Sequence, residues 1–116
     1  MVLDDDEQLL ALYREVLCDA GYDVTLVKDG MEGLERLGEA PDAFVVDLMM
    51  PRIDGCEFIK RIRNTERFRS KPALVVSAVA TKSWSRAACG ADGFLAKPFE
   101  IEALLSQLGA LTGHAG

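Results

Sequence analysis

The chain has 116 residues, of which 49% are hydrophobic and 28% charged, with a formal net charge of −6 at pH 7; such a chain can bury one core without staples and lies outside the composition of disordered proteins. No apolar run approaches the ~20 residues that cross a bilayer, and the acidic start is unlike a basic secretory leader, so one domain over 1–116 in the cytoplasm is expected. Cys18, Cys56 and Cys89 are widely spaced without CxxC or histidine company, which suggests packing rather than a disulfide framework or zinc site; with His114 in the closing LTGHAG as the sole histidine, where a tail frays, a Ser-His-Asp or Cys-His enzyme is not expected.

In chain order, a short apolar strand, Met1 to Leu3, runs into Asp4, Asp5, Asp6 and Glu7. EQLLALYREVLCDAG follows, with Leu9, Leu12, Tyr13, Val16, Leu17 and Ala20 at helical spacing and Gly21 as the stop. Asp6 is placed to begin that helix. YDVTLVKDG reads as a strand, and MEGLERLGEAP as a short helix with Met31, Leu34 and Leu37 on one side, closed by Pro41. DAFVVDLMMP holds a continuous apolar run, Ala43 to Val46, the pattern of a strand covered on both faces. DGCEFIKRIRN is the next helix, with Phe58, Ile59 and Ile62 inward and Gly55 serving a turn or the helix start. PALVVSA is another apolar strand, ending at Ser77. TKSWSRAACG gives a weaker surface helix carrying Trp84, DGFLA a fifth strand, and EIEALLSQLGAL a last helix burying Ile101, Leu104, Leu105 and Leu108.

Charge divides unevenly. Residues 1–58 carry four basic and fifteen acidic side chains, residues 59–116 nine and four. The basic run KRIRNTERFRSK, Lys60 to Lys71, raises the question of nucleic acid. It reads instead as a helix end and loop whose cations complement the helix dipole and stay hydrated, so no direct contact with nucleic acid or membrane is expected.

Five strands alternating with five helices predict an α/β fold, a doubly wound parallel sheet with helices on both faces. In such sheets a ligand site lies in the crevice at the carboxyl ends of the strands. There Asp4 and Asp5, Asp47, Ser77 and Lys97 share one rim. Carboxylates crowded together repel one another unless a cation offsets the cost. Two or three of them with room for water suit Mg²⁺, which prefers oxygen ligands and then bridges to phosphoryl oxygens. Lys97 adds a positive charge and Ser77 a donor, which suits phosphoryl transfer with Asp47 as nucleophile.

LDDD, VVDLMMPRIDG, VVSA and FLAKPF, in this order over nearly the whole chain, resemble the receiver domain of two-component response regulators, the CheY-like superfamily. The resemblance implies a flavodoxin-like sheet of order 2-1-3-4-5. It further implies Mg²⁺ at Asp4, Asp5, Asp47 and the backbone carbonyl of Met49, with Asp47 as phosphoacceptor, Lys97 as its pairing lysine and Ser77 as the switch hydroxyl. Phe94 stands at the place of the aromatic switch, and Lys97-Pro98 at a cis peptide. A sensor histidine kinase or histidine phosphotransfer protein would supply the phosphoryl group and a downstream protein would read the switch. The face of the fourth helix, fifth strand and fifth helix is where a homodimer would form. Met49 and Val79, both apolar beside the path of the hydrolytic water, imply slow self-dephosphorylation. Two departures stand out: the first strand is short, which predicts reduced stability or a truncated chain, and the Ser77 to Lys97 interval is short, which predicts a clipped or irregular fourth helix. The rival readings are a receiver-like interaction module that is never phosphorylated and an Asp-nucleophile phosphatase. The phosphatase would need a second Asp where Met49 stands. A flavodoxin-like nucleotide binder would need a glycine-rich loop after the first strand.

Overall fold

The computed structural model describes residues 1–78 and 90–113. Most of the predicted fourth helix, with Val79, Trp84 and Cys89, and also His114, lies outside the described residues. The elements are β1 (Val2–Leu3), α1 (Glu7–Asp19), β2 (Leu26–Val27), α2 (Gly30–Glu35), β3 (Phe44–Val46), α3 (Gly55–Arg63), β4 (Ala73–Ser77), β5 (Gly93–Ala96) and α4 (Ile101–Thr112). The strands form one parallel sheet of order β2-β1-β3-β4-β5, as expected. Four α-helices are present among the described residues where five were expected over the whole chain.

The continuous apolar runs become strands buried on both faces, every residue of β3 and β4 being buried. Their side chains alternate between two cores. Leu3, Phe44, Val46 and Val75 join Phe58, Ile59 and Ile62 of α3 on one face. Val2, Val45, Leu74 and Val76 join Tyr13 and Leu17 of α1 and Leu104 and Leu108 of α4 on the other. Met31, Leu34 and Leu37 are partly buried against the first core, as their spacing predicts.

Several details differ from the sequence reading. The buried line of α1 is Leu10, Tyr13 and Leu17; Leu9 and Val16 pack at its margin. The adjacent pair Leu9 and Leu10 allows either of two stripes, and the sheet takes the second. Strand YDVTLVKDG contracts to Leu26–Val27 at the sheet edge. The helix in MEGLERLGEAP ends at Glu35 and gives way to a 3-10 turn over Leu37–Glu39, with Ala40 left-handed at φ 59°. Ile101, expected inside, is 40% exposed at the first turn of α4. Cys56 is disulfide-bonded, against the packing role expected from spacing, because spacing along the chain does not tell which segments folding brings together. Cys18 is free and exposed.

The basic segment also departs from its expected hydrated state at one residue. Arg63 donates to the carbonyls of Phe68 (3.0 Å), Lys71 (2.7 Å) and Gly90 (3.0 Å) and to Asp92 Oδ2 (2.9 Å). Asp92 in turn accepts the Ala73 N–H at 2.8 Å. The guanidinium thus ties the end of α3 to the amino ends of β4 and β5. Among the described residues, no helix is long and apolar enough to cross a membrane.

Candidate functional site

Each functional side chain follows the last residue of a strand or closes it. Asp4 succeeds β1 and is 1% exposed; Asp47 succeeds β3 and is 6% exposed; Ser77 closes β4 and is fully buried. Asp4 Oδ1 accepts the Asp6 N–H at 2.9 Å, while Asp6 turns its own carboxylate to the Gln8 and Leu9 N–H groups and caps α1. The opening acids therefore divide: Asp6 serves the helix, and Asp4 and Asp5 face the crevice. One carboxylate oxygen from each of Asp4, Asp5 and Asp47 lies within 4.8 Å of the others.

Lys97 arrives from β5. Its N–H extends the β4–β5 ladder to the Ser77 carbonyl at 3.0 Å, and the peptide to Pro98 is cis. Its Nζ donates to Asp4 Oδ2 at 2.9 Å and Asp47 Oδ2 at 3.1 Å. The other Asp47 oxygen, Oδ1, accepts the Met49 N–H at 3.1 Å. Gly55 lies so near the turn after Asp47 that a Cβ would collide with the Asp47 carbonyl. Its N–H instead reaches the Leu48 carbonyl at 3.1 Å, so glycine is needed here for close approach.

The electrostatics follow from this geometry. Burial raises the Asp4 pKa, against the lowering pull of the Asp6 N–H and Lys97. Burial works to lower the Lys97 pKa, but its hydrogen bonds to Asp4 and Asp47 outweigh that and the net shift is upward. Tyr13, buried beside the Asp4 and Asp47 charges, is held well above the usual phenol range. All three shifts favour the protonated forms, for Asp4 and Tyr13 chiefly through burial and for Lys97 through its two carboxylate partners. An all-oxygen donor set of this kind suits a hard divalent ion.

Asp4, Asp5, Asp47 and Lys97 thus come together at the crevice, and Ser77 stands fully buried at the end of the adjoining strand. Met49 is 65% exposed beside Asp47, and Phe94 is half-buried against the first core. Two residues of the surroundings were not singled out beforehand. Arg52, in the loop after Asp47, pairs with Asp29 at 2.6 Å, and no sequence pattern links positions so far apart.

A doubly wound sheet of this order, with an acid-lined crevice at its carboxyl ends, defines a CheY-like α/β protein. Residues 1–109 match the response regulator receiver domain, and the chain belongs to that family. The MprA response regulators of Mycobacterium ulcerans and Mycobacterium avium are 41% and 40% identical to it over 114 residues, 96% of this chain. The match takes in 48% and 49% of those proteins, so the chain spans about half the length of these curated relatives. Among solved structures, the chemotaxis response regulator CheY4 of Vibrio cholerae superposes with a TM-score of 0.88 at 33% identity, covering 95% of this chain and 94% of that one. The Francisella response regulator 1452 receiver domain gives 0.84 at 28% identity, covering 99% and 96%.

Proposed function

We propose that this receiver domain is switched by Mg²⁺-dependent phosphorylation of Asp47, the phosphoryl group coming from a phosphohistidine on a sensor kinase or phosphotransfer protein. The observation that carries the reading is the convergence of Asp4, Asp5 and Asp47 within 4.8 Å, with Lys97 hydrogen-bonded to two of them. Asp4, Asp5, Asp47 and the Met49 carbonyl would hold the ion, which when bound neutralises charge on the incoming phosphoryl oxygens. An Asp47 carboxylate oxygen attacks phosphorus, the phosphorus–nitrogen bond to the donor imidazole breaks, and the electron pair leaves with the imidazole. Lys97, already hydrogen-bonded to Asp47, pairs with the new group, and the Ser77 hydroxyl turns to it.

The acyl phosphate brings roughly two negative charges into the crevice. Drawing Ser77 and Lys97 toward it opens room for Phe94, and the face that includes β5 and α4 changes for a downstream protein or a second copy of the chain. Such a switch requires the phosphoryl group to favour one state by a few kcal/mol. Acetyl phosphate with Mg²⁺ tests the assignment directly: intact-mass measurement should show one phosphoryl group on the wild type and none on Asp47→Asn. Undiminished labelling of Asp47→Asn would move the nucleophile elsewhere, and an unlabelled wild type would favour an interaction module that is never phosphorylated.

A further inference from the structure

The loop between β3 and α3 holds a residue whose backbone and side chain call for a common explanation. Arg52 has φ 68°, left-handed, where glycine would be unstrained. A side chain kept at such a position against that cost points to a use for the side chain. Its guanidinium reaches Asp29 Oδ2 at 2.6 Å. Asp29 is the N-cap of α2, its Oδ1 accepting the Glu32 N–H at 2.9 Å, and its side chain is only 14% exposed. One carboxylate therefore begins a helix and grips the loop. The two segments also touch: a Cβ on Gly30 would meet Ile53 Cβ and its carbonyl oxygen at 3.1 Å. Within the loop, the Ile53 N–H bonds to the Pro51 carbonyl at 2.9 Å and the Gly55 N–H to the Leu48 carbonyl at 3.1 Å. A continuous run of contacts thus leads from Asp29 to the backbone beside Asp47.

We propose that Arg52 is a positioning residue: held on Asp29, it tethers the loop of residues 48–54 to the start of α2 and keeps the Asp47 carboxylate and Met49 backbone arranged for a divalent cation. The inference rests on the metal-dependent reading above, and its role is preorganisation, with no contact to the reacting atoms.

The test uses three single variants of the same chain and the Asp29→Asn/Arg52→Gly double variant, read by amide hydrogen exchange at Ile53 and Gly55 without metal and by calorimetric titration with MgCl₂. Asp29→Asn keeps a capping oxygen for the Glu32 N–H while removing the charge. Arg52→Gly removes the guanidinium and relieves the left-handed backbone, and Arg52→Lys keeps the charge without the fork. Asp29→Asn and Arg52→Gly should each speed exchange at both amides and weaken Mg²⁺ binding about two- to fivefold, the scale of one exposed ion pair. Lysine should fall between them and the wild type, and the pair of changes together should be far from additive. Exchange and affinity unchanged in Asp29→Asn would overturn the tether. Phosphorylation separates the two readings: a wild type that binds Mg²⁺, responds to these variants and takes no phosphoryl group ends the proposed function and leaves the tether standing. A phosphorylated wild type with unaffected variants does the reverse, and a wild type that binds no Mg²⁺ ends both.

Discussion

The two ends of the sheet each take charge out of water, and they do so with opposite bookkeeping. At the amino ends of β4 and β5, Arg63 meets three carbonyls and one carboxylate, so the cation is satisfied by the protein alone. At the carboxyl ends, Asp4, Asp5 and Asp47 gather beside Lys97, which reaches Asp4 and Asp47. A matched charge fixes geometry and asks for nothing further. A surplus of one sign favours whatever brings the opposite charge, which is the physical basis of the cation binding proposed above.

Removing Arg63 should give the largest effect. Arg63→Ala removes the donor to Asp92, whose side chain is 44% exposed, and to the Phe68, Lys71 and Gly90 carbonyls, and urea denaturation should show a loss of about 2 kcal/mol, the scale of hydrogen bonds to a charged group lost together. Mg²⁺ should leave that loss unchanged, since the defect lies at the opposite end of the sheet.

The reverse sign is expected in the crevice. Asp5→Asn removes one of three crowded anions, and in metal-free buffer it should stabilise the fold by roughly 1 kcal/mol, as like charges a few ångströms apart at a protein surface would. The same variant should lose most of the stabilisation that MgCl₂ gives the wild type by mass action. A destabilised Asp5→Asn would mean that the crevice carries no excess repulsion.

The finest distinction is a slope against pH. Burial raises the Asp4 carboxyl above the ordinary aspartate value of 3.8, so between that value and its folded value the native state holds more protons than the unfolded chain. Metal-free stability from this group should then be greatest below 3.8 and fall as pH rises through the folded value. Urea midpoints of wild type and Asp4→Asn, compared across the acid range, should differ in slope with that sign. At the rim, Asp29 is lowered by the Glu32 N–H and by Arg52, so its contribution is present above 3.8 and fades as pH drops through its folded value.

What the sequence made legible follows the same division. β3 and β4 could be read because both faces are covered and the apolar residues run without a break. Asp4, Asp5, Asp47, Ser77 and Lys97 could be read because parallel topology sends every strand's carboxyl end to one rim. Along α1, Tyr13 and Leu17 could be read and Leu10 could not, because Leu9 and Leu10 are equally apolar and only the sheet chooses between them. Arg63 looked like one hydrated cation among several, since nothing in KRIRNTERFRSK distinguishes the side chain that folds back on four acceptors. The Asp29–Arg52 pair and the bonded state of Cys56 depend on contacts between distant segments, which no local pattern encodes.

Gly55 carries a consequence for anyone who would redesign this loop. Because even a methyl group at that position would run into the Asp47 carbonyl, a randomised library spanning residues 47–55 would recover glycine there from a screen for soluble expression alone, before any selection on signalling. The constraint is imposed by a main-chain oxygen, so no choice of neighbouring side chains can lift it.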